Sequence, residues 1–147
     1  MSEIESKVIW IIGGSGGIGS NLAKRMMDAG WNVIISARNQ ETLDLVSHGN
    51  SIESLIVDAT NAEQVQEKAK EINERYGSID AVVNSVGSIF LRPLHATSHD
   101  QFMETINQNL VTSFNVIRAT AKIMMRGKGG RIVLFSSAAA SLGMPNH

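Results

Sequence analysis

Five short apolar runs punctuate the chain: Val8–Ile12, Val33–Ser36, Ile52–Val57, Ile79–Val83 and Ile132–Phe135. Each is too short for a typical helix and rich in β-branched residues, which predicts strands. Val8–Ile12 contains no polar position at all, the signature of a strand buried on both faces. Between the runs, apolar residues recur at helical spacing. The first such face is Ile18, Leu22, Met26 and Ala29, and the second Leu43 and Val46. The third is Val65, Ala69, Ile72 and Tyr76, and the last and longest Phe102, Ile106, Leu110, Phe114, Ile117 and Ala121. Start and stop signals bracket these segments. Asn39 is placed to cap a helix over 40–47. Thr60-x-x-Glu63 and Ser98-x-x-Gln101 have the form of capping boxes. Gly30, Gly77 and Gly127 stand where helices should close.

Strict alternation of strand and helix predicts a parallel sheet with helices on both faces. The expected architecture is α/β, a doubly wound Rossmann-type sheet in strand order 3-2-1-4-5 forming one domain over residues 1–147. Ligands of such sheets bind beyond the carboxyl ends of the strands. The polar residues at those ends are Ser15, Arg38, Asp58, Asn84 and Ser137.

The first strand runs straight into Gly13-Gly-Ser-Gly-Gly-Ile-Gly19, followed by an amphipathic helix. Gly13, Gly17 and Gly19 fit G-x-x-x-G-x-G, and Gly14, Gly16 and Gly19 also fit G-x-G-x-x-G. No Gly-Lys-Ser/Thr follows, so this is not a P-loop. Glycines let the backbone turn sharply and approach a ligand closely. The helix N-terminus behind them offers free N–H groups and a partial positive charge to a phosphate.

Composition narrows the classes. The 147 residues suit one domain, with 43% hydrophobic and 18% charged residues. A net charge of −1 speaks against nucleic-acid and membrane-surface partners. The absence of cysteine removes disulfides and thiolate chemistry. Met1–Lys7 carries acids and no apolar core, unlike a signal peptide. No apolar run approaches membrane-spanning length. The expected location is the cytoplasm. His48, His95, His99 and His147 lack metal-ligand spacing, so no metal is expected.

Taken in order, the motifs resemble those of the short-chain dehydrogenases/reductases, with 3-oxoacyl reductase-type members as the nearest pattern. The carriers are Gly13–Gly19, Asp58 after the third strand, Asn84-Ser-Val-Gly87 after the fourth, Asn109 in the long helix, and Gly130-Arg-Ile-Val-Leu-Phe-Ser-Ser137. The family's usual fourth-strand motif is Asn-Asn-Ala-Gly, so Ser85 and Val86 depart from it. The resemblance implies an oxidoreductase that interconverts an alcohol and a carbonyl with a nicotinamide dinucleotide. It implies catalytic roles for Asn109 and Ser137. It also implies cofactor contacts from Gly13, Ser15, Gly17, Ile18, Gly19, Asp58, Ala59, Asn84 and Gly87. A homodimer or homotetramer is implied through the long helix.

The family's Tyr-x-x-x-Lys is not present: the sole tyrosine is Tyr76, in the third helix. The chain is therefore expected to be the N-terminal portion of a longer reductase and inactive as it stands. Cofactor choice rests on Ala37-Arg38. An acid at the end of the second strand would select NAD. Ala37 removes that acid, and Arg38 can grip a 2′-phosphate, so NADP(H) is expected over NAD(H). Two rival readings stand beside this one. One is a dinucleotide-binding regulatory or scaffold protein without chemistry. The other is a sugar-nucleotide epimerase, disfavoured by the compact Asn109-to-Ser137 layout.

Overall fold

A computed structural model describes residues 6–146. The leader reading of Met1–Lys7 falls largely outside them, as does His147. The chain forms β1 (Val8–Ile12), α1 (Gly17–Asp28), β2 (Asn32–Ala37), α2 (Gln40–Ser47), β3 (Ile52–Ile56), α3 (Ala62–Tyr76) and β4 (Ala81–Asn84). It continues with α4 (His99–Ile106), α5 (Thr112–Arg126), β5 (Arg131–Leu134) and a short α6 (Ala139–Leu142). The sheet has five strands in the order β3-β2-β1-β4-β5, all pairings parallel. That is the expected doubly wound order.

The period of two along β1 builds both cores at once. Val8, Trp10 and Ile12 point to one face and pack with Val65, Ala69 and Ile72 of α3 and Val116 and Met124 of α5. Ile9 and Ile11 point to the other and pack with Ala23 of α1 and Leu43 and Val46 of α2. Trp10 is fully buried, and its indole Nε1 donates to Ser36 Oγ at 2.8 Å. β5 forms the sheet edge, and Ile132, Val133 and Leu134 are exposed.

Several local expectations are met in detail. Asn39 caps α2 by accepting from Thr42 N, and Gly77 ends α3 in a left-handed conformation at φ 79°. Ser98 and Gln101 form a reciprocal capping box on α4. Others need correction. The α3 cap is Asn61, whose side chain accepts from the Glu63 and Gln64 amides. Thr60 is turned away because its own hydroxyl and amide donate to Asp58. The inner face of α1 is Gly19, Leu22, Ala23, Met26 and Met27, whereas Ile18 is 59% exposed and Ala29 lies at the exposed C-terminus.

The long helix carries a feature the sequence does not show. Helical backbone runs from α4 into α5 through a single π turn, Asn107–Val111. The face turned to the protein is Gln108, Thr112, Asn115, Val116, Thr120 and Met124. The apolar stripe that marks this helix in the sequence points outward: Phe102, Leu110, Phe114 and Ile117 are exposed. The inward face can be polar because each amide or hydroxyl on it finds a partner. The hydroxyls of Thr112 and Thr120 donate to carbonyls one turn back.

Candidate functional site

A cavity of about 360 Å³ opens at the carboxyl ends of β1 to β4. Its walls come from the glycine loop, the β2–α2 turn, the loop after β3, the loop after β4, and the start of α5. A larger cavity of about 1370 Å³ lies at the opposite end, around Asp80, Tyr76 and Arg118, and contains none of the expected site residues.

The glycine loop is held from two sides. Gly13 N and Gly14 N both donate to Ser36 O, at 2.8 and 3.0 Å. The Ser85 hydroxyl and amide both donate to Ile12 O at 2.8 Å. Three glycines are imposed by packing. Gly13 has φ +80°, a Cβ at Gly14 would lie 2.5 Å from Ile35 Cβ, and one at Gly19 would lie 2.4 Å from Gly13 O. Gly17 differs, since a Cβ there would meet nothing within 4 Å. Its bareness keeps space open at the N-terminus of α1, where backbone N–H groups point outward.

At the end of β2, Ala37, Arg38, Asn39 and Thr42 line the cavity, as does Ser15 of the glycine loop. Arg38 is exposed and makes no ion pair among the described residues. After β3, Val57, Asp58 and Ala59 line the wall. Asp58 Oδ1 accepts from the Thr60 amide at 2.9 Å and the Thr60 hydroxyl at 2.7 Å. The Asp58 amide donates to Gln64 Oε1.

The loop after β4 contributes Ser85, Val86 and Gly87. Asn84 itself does not reach the cavity. It is 2% exposed, and its Nδ2 donates to the hydroxyls of Thr112 and Ser113, both at 3.1 Å, while Oδ1 accepts from Val86 N. Asn109 behaves similarly. Its Nδ2 donates to Ser88 O and Thr105 O, and its Oδ1 accepts from Ser88 N, so the carboxamide ties this loop to the helix. A Cβ on Gly87 would come within 3.0 Å of that Oδ1. Ser137 stands just past β5, exposed, with Oγ accepting from Ala139 N at 3.1 Å. Its hydroxyl proton is left free to donate.

Of the expected site residues, Gly13, Ser15, Arg38, Asp58, Ala59 and Gly87 meet around one cavity. Gly17, Ile18, Gly19, Asn84, Asn109 and Ser137 are not part of its lining. The lining also includes Thr42, Val57, Gln108 and Thr112, which the sequence did not single out. Thr42 had a usable signal, one turn beyond Arg38 at the start of a capped helix. Gln108 and Thr112 had none, because their exposure to the cavity depends on the phase of the long helix. The described residues contain no group of three or more His, Cys, Asp or Glu able to hold a metal ion. No helix among them is long and apolar enough to cross a membrane.

The family model described as short chain dehydrogenase matches residues 7–147. The chain belongs to the short-chain dehydrogenase/reductase family. This oxidoreductase family also supplies its relatives. A 3-oxoacyl-[acyl-carrier-protein] reductase FabG from Vibrio harveyi is 28% identical over 143 residues, covering 96% of this chain and 59% of that protein. The enzyme of the same name from Chlamydia muridarum is 31% identical over 150 residues, covering 98% of this chain and 60% of its own length. The chain thus spans about 60% of the length of these relatives. Among solved structures, a metagenomic short-chain oxidoreductase in complex with NADP superposes with a TM-score of 0.88 at 28% identity, covering 97% of this chain and 67% of that one. ElxO with NADP bound superposes at 0.89 and 27% identity, covering 96% of this chain and 59% of its own.

Proposed function

We propose that this short-chain dehydrogenase/reductase is an NADP(H)-dependent enzyme that interconverts an alcohol and a carbonyl. One observation carries the reading. A guanidinium without an ion-pair partner, Arg38, and the Ser15 hydroxyl line the same cavity, with Ala37 where an acid would repel a phosphate. The cradle fits a dinucleotide. The α1 N-terminus and the open space at Gly17 suit a pyrophosphate, the loop at Asp58–Ala59 an adenine, and Gly87 a ribose in close approach. NADP in two of the solved relatives supports the same choice.

When bound, the nicotinamide supplies or accepts the hydride at the carbonyl carbon. The chain's own part is to orient and stabilise. The Ser137 hydroxyl donates to the substrate oxygen as negative charge develops there. Asn109 holds the loop at Ser88 beside the helix. Reduction also delivers a proton to that oxygen, and the family uses a Tyr–Lys pair for it. The sole tyrosine here, Tyr76, lies on α3 and donates to Glu53 at 2.7 Å, so it does not serve as that acid. The 147-residue chain on its own is therefore expected to bind cofactor without turning over a carbonyl. The outward stripe of Leu110, Phe114 and Ile117 suits contact with a second subunit, as a homodimer or homotetramer. The intact protein is expected to act in the cytoplasm.

The test is direct. Titrate NADPH and NADH against the protein by fluorescence, and assay NADPH oxidation with a panel of small carbonyl compounds. Tighter NADPH than NADH binding is expected of the 147-residue chain, and carbonyl-dependent oxidation of an intact form carrying the Tyr–Lys pair only. Tighter NADH binding overturns the cofactor assignment, and binding without oxidation by any intact form favours the scaffold reading.

A further inference from the structure

Asn115 lies on the inner face of α5, 5% exposed, and is not part of the cavity wall. Its Nδ2 donates to Ala59 O at 3.0 Å and to Thr60 O at 3.2 Å, across more than fifty positions of sequence. Those carbonyls belong to the loop after β3, which presents Asp58 and Ala59 to the cavity. Within the loop, Asp58 Oδ1 is already engaged by Thr60, which fixes the carboxyl relative to the loop. Relative to the rest of the protein, the loop is held on the β2 side by Val57 N donating to Ala37 O at 3.0 Å and on the α5 side by the amide of Asn115. A buried amide is favourable there because Nδ2 finds two carbonyl acceptors.

We propose that Asn115 is a positioning residue for the adenosine end of the dinucleotide. It hangs the Asp58–Thr60 loop from α5 so that Asp58 and Ala59 stand at the right height above the sheet. The inference rests on the cofactor reading above, and it assigns the residue no contact with the ligand. It predicts an asymmetry: loss of the amide should weaken the adenosine half of the ligand and spare the nicotinamide half.

Two half-ligands test it on the full protein, adenosine 2′,5′-bisphosphate and nicotinamide mononucleotide, by calorimetry. Asn115→Leu keeps the side-chain size and removes both donors. It should bind the bisphosphate about tenfold more weakly and the mononucleotide within about twofold of wild type. Amide exchange should quicken at Thr60 and Asn61 while β2 stays protected. Asn115→Ser keeps one donor and should fall between. An unchanged bisphosphate affinity, or an equal loss for both half-ligands, overturns the proposal. So does failure of both variants to fold, which would make Asn115 a folding element. If wild type binds neither half-ligand nor NADPH, the cofactor reading itself fails, an outcome distinct from all of these.

Discussion

Trp10 and Ser36 are joined by a fully buried hydrogen bond, indole Nε1 to hydroxyl Oγ at 2.8 Å, in the middle of the sheet. The carbonyl of the same serine receives the amides of Gly13 and Gly14. The tryptophan thus braces the strand that carries the glycine loop. Ser36→Ala should leave the indole N–H unsatisfied and cost ~1–3 kcal/mol. Urea denaturation measures this. In a cycle with Trp10→Phe, which itself leaves a cavity, the two losses should be less than additive, and strictly additive losses would show that the two residues act independently.

Arg38→Ala should weaken NADP(H) by roughly 10- to 150-fold, corresponding to about 1.5–3 kcal/mol, and leave NAD(H) nearly unchanged. Raised salt should move the effect toward the lower figure, because the side chain is exposed. Titration of both cofactors checks it, and equal losses would make Arg38 structural.

The glycines of one loop should divide by substitution. Gly19→Ala forces a methyl to 2.4 Å from a backbone oxygen and should cost more than about 2 kcal/mol of stability. Gly17→Ala meets nothing within 4 Å and should unfold at nearly the wild-type temperature while losing dinucleotide affinity. Thermal melts with and without NADPH separate the two. A Gly17→Ala protein that binds normally would remove the α1 N-terminus from the site.

Glu71 gives a pH prediction. The Lys68 ammonium at 2.7 Å holds its carboxyl below the usual carboxylate range, and Arg75 adds to the effect. A lowered folded value means the stabilisation is present above the ordinary glutamate value of about 4.3 and fades as pH falls through the lower folded one. Glu71→Gln should therefore cost about 0.3–0.5 kcal/mol at neutral pH, and the gap should close in acid and in strong salt. Denaturation at several pH values reads it. A gap that widened in acid would contradict the assignment.

Phe114 is 60% exposed on the outer side of α5, beside Leu110 and Ile117. Phe114→Glu should shift the protein from oligomer to monomer in light scattering behind a sizing column, with the monomer's circular dichroism retained. A wild-type protein that is already monomeric would refute the subunit contact.

The sheet was legible because each strand is a compact apolar run and each crossover a periodic one. Trp10 and its neighbours must be buried on both faces, and only a parallel sheet between helices allows that. The glycine loop and Arg38 were legible for a related reason, since their positions follow from where β1 and β2 end. The long helix was not. Its apolar stripe, Phe102 to Ile117, marks the helix but not the face it turns to the core, where Thr112, Asn115 and Thr120 are held by hydrogen bonds invisible in a hydropathy pattern. Asn84 and Asn109 were expected as site residues, and in the structure their carboxamides tie loops to helices. Nothing in residue spacing distinguishes an amide that reaches a ligand from one that fastens a backbone.

The π turn at Asn107–Val111 acts as a phase setter. Each residue of an α-helix advances the side chains by about 100°. Closing this turn to α geometry at constant length, or adding one residue after it, would roll all of α5 by about that angle relative to α4. Asn115 would swing away from Ala59 and Thr112 away from Asn84, while the bulk of Phe114 or Ile117 would be driven toward the sheet. An alanine substitution here alters one contact. A single-residue insertion at the start of α5 would disengage the loops after β3 and β4 together, as a slipped gear tooth misaligns everything the shaft drives.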